Sequence, residues 1–144
     1  MPTIMLWPNF DAGGSEVAKS IRTYREKHDP KWLNLQTNFS VEDYSRLLNR
    51  TSCLVGNSSS GIREGAFVGT PVVNIGSRQN SRLCSTNVLQ SEYDKSSILS
   101  AIKHQLHEHK YAKSHLYGDG NTGERIARIL KEFTVTQVQK TISY

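Results

Sequence analysis

Short apolar runs bounded by Gly, Pro or Asn alternate along this chain with stretches in which apolar residues recur every three or four positions. The runs fall at residues 4–7, 32–35, 53–55, 72–75 and, more weakly, 88–89, and each has the length of a buried strand. Between the first two, Val17, Ile21 and Tyr24 make one apolar stripe, with Lys19, Arg22, Glu26 and Lys27 on the opposite side. This predicts a helix laid on a sheet. Val41, Tyr44, Leu47 and Leu48 predict a second helix, with Ser40 placed to cap it. A third, short helix is expected to open near Ser60 and Gly61 and to stop before Gly69, Thr70 and Pro71, because proline disfavours helix in the residue before it. Ile98, Ala101, Ile102 and Leu106 mark a fourth helix starting near Asp94. Ile126, Ile129, Leu130 and Phe133 mark a fifth, which Asn121 and Glu124 are spaced to open as a capping box. Strands that alternate with helices in this way predict an α/β fold of parallel strands joined by crossover helices. Residues 1–134 are expected to form one domain and residues 135–144, which carry no stripe, a loosely held tail.

Composition narrows the classes. A length of 144 residues suits a single domain that buries roughly two thirds of its unfolded surface, and 36% apolar with 22% charged residues is a globular profile. The formal net charge of +5 raises the question of nucleic acid, but Lys and Arg are interspersed with Glu and Asp, without a basic stripe interleaved with aromatics. The same balance suits a small anionic ligand, and no nucleic-acid partner is expected. The first apolar run has no basic segment before it and is far too short to span a membrane, so a cytoplasmic protein with no membrane partner is expected. Cys53 and Cys84 are expected to stay reduced there. The sequon matches at Asn38, Asn49 and Asn57 then carry no weight.

Residues 53–66 carry the most chemistry: a strand, then Asn57, Ser58, Ser59 and Ser60, then Gly61 at a helix start. Such a turn offers unpaired backbone N–H groups and serine hydroxyls to a phosphate, and Gly61 permits close approach; equally, Ser and Gly suit any strand-to-helix turn. Glu64, one turn on, is placed to accept from both hydroxyls of a ribose, or is simply an acid favoured in a first helical turn. His104, His107 and His109 do not make a metal site, since only the first two share a helix face. Residues 118–123 have too few carboxylates for a calcium loop. No cofactor or metal is expected.

Residues 55–78, VGNSSSGIREGAFVGTPVVNIGSR, closely resemble the nucleotide-binding segment of hydrolysing UDP-N-acetylglucosamine 2-epimerases, and so do residues 6–13 and 117–121. In order and spacing the resemblance extends over residues 3–133. It implies a three-layer Rossmann-like domain with a mainly parallel sheet, equivalent to the carboxy-terminal half of a two-domain fold of the B-type glycosyltransferase kind. It further implies that Ser58 and Ser59 bind the diphosphate of UDP, that Glu64 holds the ribose, and that Asn9 and Arg78 lie near the phosphates or sugar. The uracil would rest on backbone at residues 38–41. Arg78 also reads as a loop arginine in a surface ion pair.

In the family the resemblance points to, UDP is eliminated across C1–C2 of the sugar to give a glycal, and water adds to release N-acetylmannosamine, a precursor of sialic-acid-type sugars. The carboxylates that act as acid and base belong largely to an amino-terminal domain to which no segment here corresponds, so no catalytic residue is assigned. Residues 4–7 would be the second strand of the carboxy-terminal domain, with the first strand and helix absent. The expected partners are UDP-N-acetylglucosamine or UDP, together with a second copy of the chain or a separate amino-terminal domain. Two other functions fit the same residues: a non-catalytic UDP-sugar-binding module and a glycosyltransferase subunit.

Overall fold

The computed structural model describes residues 1–9 and 13–134. Phe10, Asp11 and Ala12 of the first resembling segment, and the expected tail at 135–144, lie outside the described residues. The element order is β1 (Thr3–Leu6), α1 (Gly14–His28), β2 (Leu33–Gln36), α2 (Val41–Arg50), β3 (Leu54–Gly56), α3 (Ser59–Ile62), α4 (Glu64–Val68), β4 (Val72–Ile75), β5 (Val88–Ser91), α5 (Lys95–His107) and α6 (Thr122–Glu132). Every strand pairing is parallel, and the α/β, Rossmann-like class follows from it. The residues fall into two compact units, one of Met1–Leu47 and one beginning at Leu48.

The first unit is a β-α-β followed by most of α2. β1 pairs with β2, Thr3 opposite Leu33 and Leu6 opposite Gln36. α1 has the predicted stripe, yet none of its residues is buried: Val17 and Tyr24 are exposed, as are Ile4, Met5 and Leu6 of β1. Two strands offer too little area to cover a fifteen-residue helix. Ser40 caps α2 as its position predicts, its Oγ accepting from the Asp43 N–H at 3.1 Å.

In the second unit the strand order is β3-β4-β5. Val72 and Val73 point to opposite faces of β4 and are both buried, at 3% and 0% exposure, as expected of a central parallel strand covered on both sides. Ile62 and Ala66 cover one region of this core, and Ala101 of α5 another. Gly61 is where α3 meets the sheet: a Cβ there would stand 2.8 Å from Val72 Cγ1 and 3.2 Å from Leu54 Cδ2. The core is also polar. Gln105 of α5, 1% exposed, donates through Nε2 to the carbonyls of Val72 (2.8 Å) and Asn87 (3.0 Å), and its Oε1 accepts from the Tyr111 hydroxyl at 2.8 Å. Asn87 donates to the Thr70 carbonyl at 2.8 Å, and the Thr70 hydroxyl donates to that of Leu48 at 2.7 Å.

Two expectations are corrected. The single third helix is two short pieces that break at Arg63, whose ψ of −74° departs from the helical value. Asn121 makes no capping hydrogen bond through its side chain; Asp119 takes over, accepting from the Asn121 N–H at 3.0 Å and from both terminal nitrogens of Arg125. The turn at Gly118 and Gly120 brings the aspartate, with its shorter reach to those donors, in front of α6. The Arg125 guanidinium, foremost among these partners, holds the Asp119 carboxyl well below the usual carboxylate range.

Candidate functional site

In parallel sheets ligands bind beyond the carboxyl ends of the strands, because there the loops converge and backbone donors are unpaired. In the second unit Gly56 at the end of β3 is in register with Asn74, and Ile75 at the end of β4 with Ser91. Three loops therefore leave the sheet at one end. The first, after β3, carries Asn57, Ser58, Ser59 and Ser60 into α3 and then Glu64; the second, after β4, carries Arg78; the third, after β5, carries Glu92 and Asp94.

Ser58 is the N-cap of α3, its Oγ accepting from the Ser60 N–H at 3.3 Å. A hydroxyl that accepts there keeps its own proton to donate elsewhere. Ser59 is half-buried at the first position of α3, and Glu64 is exposed at the first position of α4. The macrodipole expected from one continuous helix is small in pieces of four and five residues, so the donors of this turn act individually. Arg78 is exposed and already engaged in an interaction of its own. Its loop, residues 76–87, holds Arg78 and Arg82 and no acid, an electrostatic setting that favours an anion.

The two loops are fastened together by a residue the sequence did not mark. Gln79, 5% exposed, donates from Nε2 to the Asn57 carbonyl at 2.8 Å. The end of β4 is braced in turn: Asn74 Nδ2 donates to Gln90 Oε1 at 2.7 Å, and Gln90 Nε2 donates to the Gly76 carbonyl at 2.6 Å. The one legible sign of this network was an asparagine inside the apolar run at 72–75. Farther along, the Tyr117 hydroxyl donates to the Leu83 carbonyl at 2.7 Å, tying the resembling segment at 117–121 to the Arg78 loop.

Thus Ser58, Ser59, Glu64 and Arg78 share one end of one sheet. Asn9 belongs to the first unit, exposed beyond β1. Its carbonyl lies where a side chain at position 14 would begin, 2.2 Å from an ideal Cβ on Gly14, so only glycine lets α1 start there. Residues 38–41, the expected uracil rest, are the loop between β2 and α2 in the same unit. No group of three or more His, Cys, Asp or Glu side chains converges as a metal site among the described residues. None of their helices is long and apolar enough to cross a membrane.

Comparison of the sequence with known proteins gives the family. The profile of the UDP-N-acetylglucosamine 2-epimerase family matches residues 1–131. The chain is 36% identical over 128 residues to the UDP-N,N'-diacetylbacillosamine 2-epimerase (hydrolyzing) of Legionella pneumophila, a match covering 89% of this chain and 33% of that protein. It is 26% identical over 130 residues to the UDP-N-acetylglucosamine 2-epimerase of Neisseria meningitidis, covering 88% and 33%. It is 37% identical over 84 residues to the GDP/UDP-N,N'-diacetylbacillosamine 2-epimerase (hydrolyzing) of Campylobacter jejuni, covering 58% and 22%. The chain thus spans about a third or less of the length of these relatives. A match along residues 1–131 is more than a shared turn motif: the chain belongs to the UDP-N-acetylglucosamine 2-epimerase family.

Proposed function

We propose that this chain holds the UDP end of a UDP-2-acetamido sugar for a hydrolysing 2-epimerase, and that the proton-transfer chemistry is supplied by protein outside it. The observation that carries the reading is the placement of Ser58, Ser59, Glu64 and Arg78 at the carboxyl end of β3-β4-β5, inside the span matched by the family. In this reading Ser58 and Ser59 donate to the diphosphate, Arg78 adds positive charge where the leaving UDP accumulates negative charge, and Glu64 accepts from the ribose hydroxyls. Loss of an anionic leaving group is helped by such fixed donors, whereas removal of the C2 proton needs a base this chain does not assign.

The sugar is N-acetylglucosamine in the first instance, as in the family's name, with N-acetylmannosamine as the product. The higher identity to relatives named for N,N'-diacetylbacillosamine supports a second reading in which that sugar is the substrate. Both share the UDP contacts. Titration calorimetry tests the assignment: UDP binds the wild type, and Glu64→Ala weakens UDP and uridine alike by roughly 5- to 100-fold through lost charge-assisted bonds. Equal UDP affinity in both proteins refutes the ribose role. Incubation of each UDP-sugar with the chain joined to the remainder of an epimerase then separates the two substrates by the sugar released, while transfer to an acceptor would favour a glycosyltransferase.

A further inference from the structure

We infer that Gln79 is a positioning residue for the diphosphate end of the site, setting the spacing between the Asn57–Ser60 turn and the arginine loop; this rests on the nucleotide reading above. The inference starts from an imbalance in one side chain. Gln79 is 95% buried by its 5% exposure, and its Nε2 donates to the Asn57 carbonyl at 2.8 Å. Its Oε1 is equally buried and meets no hydrogen-bond donor among the described residues. A buried amide with one end satisfied gains less from the bond it makes than it loses for the acceptor left dry. Stability therefore gives no reason for glutamine here, since an apolar side chain of similar volume would serve the core as well or better.

What glutamine supplies is a fixed point. The backbone of Gln79 is itself held, its carbonyl accepting from the Arg82 N–H at 3.0 Å while the Asn80 N–H donates to the Ser77 carbonyl at 3.1 Å. Arg78 precedes it, and Ser58 follows the residue it grips. One hydrogen bond thus couples the loop bearing the cation to the turn bearing the hydroxyl donors. The amide cannot be turned over, because Oε1 would then face the Asn57 carbonyl, oxygen against oxygen. Removing the bond should leave the fold in place and let the two halves of the anion site drift apart, a shift felt by a ligand that bridges them and not by one without phosphates.

The test compares UDP with uridine. Gln79→Met keeps the volume, removes the donor and removes the dry acceptor with it; Gln79→Asn keeps the amide and is one methylene too short to reach Asn57. Either variant, measured by calorimetry, should bind UDP about ten-fold more weakly, one hydrogen bond's worth, and uridine less than about two-fold more weakly. The thermal midpoint of Gln79→Met should stay within about 2 °C of the wild type. Equal losses for the two ligands, no loss for UDP, or failure of both variants to fold overturns the inference and leaves the nucleotide reading intact. Absence of UDP binding to the wild type overturns both.

Discussion

Gln105→Met tests whether the polar core of the second unit is as important as its geometry suggests. The glutamine makes three hydrogen bonds, to the Val72 and Asn87 carbonyls and from the Tyr111 hydroxyl, all between 2.8 and 3.0 Å and all reported by a side chain 1% exposed. Methionine fills nearly the same space, so no cavity confuses the result. The Asn87 carbonyl keeps a second donor, the Val72 N–H at 2.8 Å, and suffers least. The Tyr111 hydroxyl loses its acceptor but is only partly buried and can turn to water. With a net contribution of about 1 kcal/mol per bond, the substitution should destabilise by about 2–4 kcal/mol. At roughly 2–4 °C per kcal/mol for a chain of this size, the midpoint falls by roughly 5–15 °C. Thermal unfolding followed by circular dichroism reads this directly. Tyr111→Phe alone should cost about 1 kcal/mol, and should cost almost nothing once Gln105 is methionine, since the two share one bond. A midpoint for Gln105→Met within about 2 °C of the wild type, or additive losses in the double variant, refutes the reasoning.

Gly61→Ala should destabilise by about 1–3 kcal/mol in urea denaturation, because its Cβ has a Val72 methyl only 2.8 Å away and α3 must shift to make room. The same shift should weaken UDP binding. The Asp119–Arg125 pair should respond to acid: the folded pKa of Asp119 is depressed, so its contribution is complete above the ordinary aspartate value of about 4 and is lost as pH falls below that toward the folded value. Carboxyl NMR should find Asp119 still charged where a free aspartate is half protonated, and Arg125→Met should raise its midpoint toward the ordinary value while leaving it below, because the Asn121 N–H still favours the charged form. The chain by itself should release no N-acetylmannosamine from UDP-N-acetylglucosamine at about 1 per second or faster, a typical enzyme rate, measured by product chromatography. In light scattering at micromolar concentration it should appear larger than 16.2 kDa, because β1 exposes Ile4, Met5 and Leu6 and, among the described residues, pairs on one side only. A clean 16.2 kDa monomer would refute that expectation.

The strands were legible because each is an apolar run bounded by breakers: the expected positions at 4–7, 32–35 and 53–55 are displaced by one residue from β1, β2 and β3, and 72–75 is β4 itself. The weak run at 88–89 grows to Val88–Ser91 because Gln90 and Ser91, polar in sequence, are held in the ladder beside β4. Helix caps were legible where the side chain sits next to the helix, as at Ser40 and at Asp94, whose carboxylate accepts from the Ser97 N–H at 2.9 Å. At α6 the cap came from two residues farther back, which spacing rules do not reach. The serine turn, Glu64 and Arg78 could be picked out by residue type and by resemblance. Gln79, Asn87 and Gln105 could not, because a buried amide looks like any surface amide until the carbonyls it donates to, 17 to 33 residues away in sequence, are brought beside it.

The two thiols of this chain differ in a way that makes them a clock and its reference. Cys84 is exposed in the Arg78 loop, while Cys53, immediately before β3, is half-buried, and burial pushes its thiol up to about 11. At neutral pH an alkylating reagent therefore meets one accessible sulfur and one that is both shielded and protonated. The first label arrives at the rate of ordinary chemistry. The second waits for the edge of β3 to open, so the interval between them, followed by mass spectrometry, times the local breathing of the sheet on which the serine turn is mounted.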